Sequence, residues 1–159
     1  MGNLIKFCQP ILPAICIFEA VKMMDFEKIR NFLNEEDKFC KFCGIQLTEV
    51  GDGYAEAVLE VNANKLNGRN VVQGGAIMTL ADFAFAGAVN GSGVTGVSLN
   101  CTTNFIRPGS GSTLKAVCRK VSQGKKTALY VAEVTNENGQ LVAVMNITGF
   151  IIDDKPIVQ

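Results

Sequence analysis

Histidine is absent from the 159 residues. That zero excludes Ser-His-Asp and Cys-His catalysis, His-ligated metal sites and a His general base. Net charge is missing as well. Lys+Arg and Asp+Glu both number 15, so no overall field recruits DNA, RNA or anionic lipid. There is no internal repeat, no low-complexity segment, and no Gly-rich nucleotide loop followed by Lys-Ser/Thr. The apolar stretch Ile11–Phe18 is too short to span a bilayer. No cofactor or metal is therefore expected. If the chain is an enzyme, carboxylates, amides, hydroxyls and backbone groups do the work.

What is present fits one domain with an ordinary core, since 48% of residues are hydrophobic and only 19% charged. Six cysteines (Cys8, Cys16, Cys40, Cys43, Cys101, Cys118) are too sparse and irregular for a disulfide scaffold. A reduced cytoplasm is the expected location. Cys40-Lys41-Phe42-Cys43 is a lone CxxC. Without a second pair for zinc it reads as two thiols near a helix end. Residues 1–23 are apolar, interrupted by Pro10 and Pro13, and read as an extension outside the working domain. That domain is expected over residues 24–159.

Phe26, Ile29, Phe32, Leu33 and Phe39 recur at helical spacing and predict one helix from Phe26 to about Phe42, stopped at Gly44. Ile45–Val50 and Tyr54–Val61 flank Gly51-Asp52-Gly53, a hairpin signal. After the polar loop Asn62–Asn70, residues 74–89 are apolar on every side except for Thr79 and Asp82, which predicts a buried helix. The remainder reads as strands Val94–Ile106, Ser112–Val121, Thr127–Thr135 and Leu141–Ile152. Turn chemistry at Arg107-Pro108-Gly109, Ser122–Lys125 and Asn136–Gly139 predicts antiparallel hairpins between them. The expected class is α+β, one long antiparallel sheet of about six strands beside one buried helix.

Asp82 is the residue that needs explaining. Asp is rarely buried without a partner, and no Lys or Arg lies between Gly74 and Val94. Its helical stripe continues through Gly75, Thr79, Ala86 and Asn90, small and polar, so something approaches the helix there. Two readings stay open: a carboxylate hydrogen-bonded to backbone or Thr79, or a desolvated functional acid.

Around it the sequence resembles a known family. Asn67-Gly68, Gln73-Gly74-Gly75-Ala76 and Thr79-Leu80-Ala81-Asp82 are similar to the signature of PaaI-like hotdog-fold thioesterases. Downstream, Gly96–Leu99, Asn104-Phe105-x-Arg107-Pro108-Gly109 and Asn138-Gly139-x-Leu141-Val142-Ala143 match in order. The resemblance covers roughly residues 25–152 and implies a hotdog fold, the sheet wrapped around its central helix. It implies an acyl-CoA or aryl-acyl-CoA thioesterase that releases the free acid and CoA. Asp82 would be the nucleophile or general base, and the Gly74 N–H would bind the thioester carbonyl. Asn67 and Gln73 would orient the thioester, and Ser98 would help hold the water. The departure is Gln73, where the family usually has His; Gln donates a hydrogen bond but cannot titrate.

The chemistry of the residues points the same way. Thioester hydrolysis builds negative charge on the carbonyl oxygen, and a helix N-terminus with free N–H groups stabilises it. Gly74 and Gly75 either let a ligand reach that backbone or serve tight helix–sheet packing. Ser98 taken alone is ordinary strand polarity. Gly75 and Thr79 flank the same approach, Gly109 sits in the Arg-Pro-Gly turn, and Arg107, Lys125 and Lys126 are basic enough to meet a CoA phosphate. A dehydratase on this fold needs a catalytic His and is set aside. A non-catalytic acyl-CoA-binding or regulatory protein is the alternative. Gly74 and Asp82 are eight residues apart on one helix, about 12 Å, whereas attack needs roughly 3–3.5 Å. A site shared across a two-fold dimer is expected, and the resemblance implies a homotetramer. No nucleic acid or membrane partner is expected.

Overall fold

The computed structural model describes residues 24–158; the extension assigned to residues 1–23 lies outside them. Asp25 opens helix α1 (Phe26–Glu36), its carboxylate accepting the Lys28 N–H at 2.9 Å. The single helix expected as far as Phe42 is in fact two. Asp37 leaves the helical region (φ −75°, ψ 94°), and its carboxylate accepts the Cys40 N–H at 2.8 Å, capping α2 (Lys38–Cys43). A short polar side chain offers the backbone this local alternative to helix continuation. Gly44 then ends α2 in the left-handed region, φ 68°, where glycine alone is unstrained.

Strands β1 (Ile45–Gly51) and β2 (Tyr54–Glu60) form the expected hairpin. A short 3-10 turn, Ala63–Lys65, interrupts the polar loop, and helix α3 runs over Gly74–Gly91. Strands β3 (Thr95–Phe105), β4 (Thr113–Gln123), β5 (Thr127–Asn136) and β6 (Leu141–Asp153) complete a six-stranded antiparallel sheet, ordered β1-β2-β4-β5-β6-β3. One predicted connection fails. Arg107-Pro108-Gly109 does not close a hairpin, because β3 pairs with β6 and β4 pairs with β2. Ile106 and Arg107 both donate to the Val142 carbonyl, and Val72 N–H donates to the Gly109 carbonyl at 2.8 Å. The segment thus runs from the sheet edge back past the start of α3.

Alternation buries one face of the sheet on α3. Ala55, Ala57, Ala116 and Ala132 are fully buried together with Leu80, Ala84, Phe85 and Ala88 of the helix. Gly87 makes a close crossing: a Cβ there would stand 2.7 Å from Ala55 Cβ and 2.9 Å from Leu47 Cδ2. Asn90, read from the sequence as part of an open stripe, is instead buried, its amide donating to the Ala86 carbonyl. The stripe is open only from Gly75 to Ala86. The two sheet edges differ. Asn34 of α1 covers β1, donating to the Leu47 carbonyl at 3.0 Å and accepting the Leu47 N–H at 2.8 Å. Strand β3 leaves Val97, Leu99 and Phe105 exposed.

Candidate active site

Asp82 sits on the third turn of α3, half-buried in a cavity of about 360 Å³. Ser98 and Thr79 share that cavity. Burial raises the Asp82 pKa above the ordinary carboxylate range; a hydrogen bond from Ser98 pulls it down, and the charge of Asp37 pushes it up. Thr79 does not bond to Asp82. Its hydroxyl donates to the Gly75 carbonyl at 2.9 Å, which leaves the carboxylate to Ser98 and to the Cys101 thiol, whose Sγ lies 4.0 Å from Oδ1. A carboxylate so placed is a base held in a partly dry pocket, with a hydroxyl that can share a water with it.

Ser98 and Cys101 reach the same carboxylate although three residues apart, a spacing that in a regular strand sends side chains to opposite faces. A bulge between Ser98 and Asn100 shifts the register and turns both inward. Asp37, Phe39, Cys40, Met78, Cys101 and Met145 also line the cavity, and the sequence reading named none of them as site residues. Asp37 carried a signal, a short acidic residue of the kind that caps helices, that could have marked the start of α2. The bulge that turns Cys101 inward has no sequence signature. Burial raises the pKa of Cys40, Cys101 and Cys118 alike. None of the three is a poised nucleophile.

The other expected residues fall into separate groups. Gly74, the first residue of α3, lines a second cavity of about 380 Å³ with Arg107 and Gly109. Packing against the sheet bears on Gly74, which faces Phe105 of β3, but does not explain Gly75. A Cβ at Gly74 would meet the Phe105 ring at 3.2 Å, and one at Gly75 would meet only the Gln73 amide oxygen, at 2.8 Å. Gln73 is the N-cap of α3; its Oε1 accepts the Ala76 N–H at 3.1 Å, leaving Nε2 as the donor. Gln73, Gly75 and Thr79 line a third cavity of about 570 Å³. Asn67 stands apart, its Oδ1 accepting the Arg69 N–H at 2.8 Å within its own loop.

Lys125 and Lys126 are not brought beside Gly74, Arg107 and Gly109. Both are exposed in the β4–β5 turn, beyond the Thr127 end of β5, whereas Phe105 and Arg107 adjoin its Asn136 end through β6. The nine steps between those ends span roughly 30 Å. Within one chain, Gly74 and Asp82 line different cavities.

A helix wrapped by an antiparallel sheet, glycines at its N-terminus and a desolvated acid two turns on define a hotdog-fold thioester hydrolase. Comparison with known proteins places the chain more closely. The thioesterase superfamily model matches residues 69–143. Acyl-coenzyme A thioesterase PaaI of Escherichia coli K12 is 39% identical over 111 residues, 69% of this chain and 79% of that protein. The E. coli PaaI structure superposes with a TM-score of 0.78 at 32% identity, covering 82% of this chain and 96% of that one. The smu.793 protein of Streptococcus mutans, solved bound to acetyl CoA, superposes at 0.66 with 27% identity over 70% and 90% of the two chains. The chain belongs to the thioesterase superfamily, in its PaaI-like family.

Proposed function

We propose that the protein hydrolyses acyl-CoA thioesters to the free acid and CoA. The observation that carries this reading is Asp82: a half-buried carboxylate whose pKa burial has raised, bonded to Ser98 inside a cavity. The thioester carbonyl lies against the Gly74 N–H, where the helix N-terminus stabilises the oxyanion. Asp82 takes a proton from a water held by Ser98 as the water oxygen attacks the carbonyl carbon, or attacks that carbon itself to give a mixed anhydride that water then hydrolyses. In either route the CoA sulfur leaves as the thiolate. Gln73 donates through Nε2 while its Oε1 caps the helix, and Asn67 helps to orient the thioester. Gly75 and Thr79 line the approach, and Arg107 and Gly109 meet the CoA moiety. No step asks for a cofactor. The 39% identity to an acyl-coenzyme A thioesterase and the acetyl CoA on a structural relative support this choice of substrate.

The reading also requires a second copy. Gly74 and Asp82 of one chain are about 12 Å apart by helix rise and line separate cavities. Two α3 helices set antiparallel across a two-fold axis bring the Asp82 of one chain beside the Gly74 of the other. The open β3 edge supports such pairing, because Asn34 already covers the opposite edge. The assembly is a homodimer at minimum, and a homotetramer is the form the family resemblance favours. The four described cysteines are unpaired, which fits a cytoplasmic setting. Among the described residues, no helix is long and apolar enough to cross a membrane.

The test is thiol release from a panel of acyl-CoAs by wild type and Asp82→Asn. Wild type should turn over at least one of them. Asp82→Asn should lose at least ~100-fold, the scale of general-base removal. A near-wild-type rate in that variant would overturn the assignment.

A further inference from the structure

Helix α2 presents two aromatic rings on its open side. Phe39 is 62% exposed and Phe42 85% exposed, three residues apart and therefore on one helical face. Buried Cys40 anchors the helix from beneath, between the Asp37 cap and the Gly44 stop. Phe39 is shared by two cavities: it lines the one that holds Asp82 and the one that holds Gln73 and Gly75, and Thr79 is common to both. The ring therefore stands where the two spaces meet, across from the α3 stripe that runs from Gly75 to Asp82.

The chemistry of the Asp82 cavity says which part of a thioester enters it. Its charged groups are Asp37 and Asp82, both acids, and no basic side chain lines it. A phosphorylated nucleotide is repelled there. The rest of the wall is Phe39, Cys40, Met78, Cys101 and Met145 with two hydroxyls, which suits an apolar acyl group. These apolar residues are not equivalent. Cys40 and Met145 are buried in the core, and methionines adapt their shape to what is beside them. Phe39 is the large, stiff element that can change without emptying the core.

From this arrangement we infer that Phe39 sets the size of the acyl group accepted beside Asp82. The inference rests on the thioesterase reading of the same site. Removing the ring opens the Asp82 cavity toward its neighbour, so Phe39→Ala favours bulkier acyl groups; Phe39→Trp narrows it and favours compact ones. Phe42 lines the cavity at Gln73 and not the one at Asp82, and Phe42→Ala leaves the preference unchanged.

The experiment compares kcat/KM for a compact and a bulky acyl-CoA in wild type, Phe39→Ala, Phe39→Trp and Phe42→Ala. In parallel, the dissociation constants of the corresponding non-hydrolysable acyl-CoA thioethers are measured for the same full-length proteins. The bulky-to-compact ratio should rise about tenfold in Phe39→Ala and fall in Phe39→Trp, the scale of a few apolar atoms in a pocket. The thioether ratio should move the same way. Unchanged ratios in both Phe39 variants overturn the inference, as does a Phe39→Ala chain that only changes oligomeric state by light scattering. Wild type that turns over no acyl-CoA refutes the thioesterase reading separately, and the thioether ratio then still decides whether Phe39 sizes the pocket.

Discussion

Asp82 has to be ionised to act, and burial and two neighbours set how easily that happens. Burial and the charge of Asp37 hold its pKa up, while the Ser98 hydroxyl holds it down. Activity should therefore fall on the acid side as pH drops through that raised value. Asp37→Asn keeps a side chain able to cap α2 but removes the charge, so its acid limb in kcat/KM should move to lower pH. Ser98→Ala should move it to higher pH. A limb that stays put in both variants would show that another group titrates. The same shift makes a stability prediction. A carboxylate whose folded pKa is raised contributes stability below its unfolded pKa and loses it as pH rises through the folded one. Asp82→Asn should accordingly melt at a higher temperature than wild type at neutral pH, and thermal melts across the acid range should show the gap closing. Gln73 combines a cap and a donor. Gln73→Ala should cost roughly 1 kcal/mol of stability from the cap and should slow turnover, while Gln73→His should keep the rate. Gln73→Ser restores capping alone; a Ser variant as fast as wild type would assign Gln73 to structure only.

Among the elements, α3 decides most of the geometry, because its N-terminus and its open stripe hold the site while its other faces hold the core. Gly87 crosses the sheet closely, with Ala55 and Leu47 closing over it. Gly87→Val should destabilise the fold by roughly 1–3 kcal/mol, the usual cost of overpacking, read as a lower denaturation midpoint. Gly75→Ala faces no packing wall and disturbs only Gln73, so its effect should appear in KM or kcat before it appears in melting. A Gly87→Val chain as stable as wild type would mean that the helix can lift off the sheet freely. The α1–α2 break shows how an element differs from its periodicity: apolar spacing carries on from Ile29 to Phe39, yet Asp37 turns the chain between them. That turn puts Phe39, Cys40 and Asp37 around Asp82.

For the molecule as a whole, the separation of Gly74 from Asp82 makes assembly part of the chemistry. A chain inactivated by Asp82→Asn and one crippled at Asn67 and Gln73 should each be inactive alone. If two chains build each site, mixing them under conditions of subunit exchange should restore activity, since a hybrid dimer keeps one intact site. No recovery despite proven exchange, or an active monomer by light scattering, would refute a shared site.

The sequence by itself determined the parts that depend on local pattern. Alternating apolar residues specified the strands, the all-apolar run specified the central helix, and the acid at Asp82 stood out because no Lys or Arg on its helix could pair with it. The absence of histidine removed most other chemistries before any fold was considered. Only the tertiary structure decided which strands became neighbours: β3 crosses to the far edge and pairs with β6, a choice made by α3 lying across the sheet rather than by the turn residues Arg107-Pro108-Gly109. It also decided what surrounds Asp82. Ser98 and Cys101 face it because a bulge shifts their register, and Phe39 faces it because a capped break redirects a helix. Lys125 stands apart from Arg107 and Gly109 because its turn lies at the opposite end of the sheet from Phe105. Side-chain direction along a strand changes sign with one extra residue, so no reading of spacing alone can place such groups, while packing around α3 does.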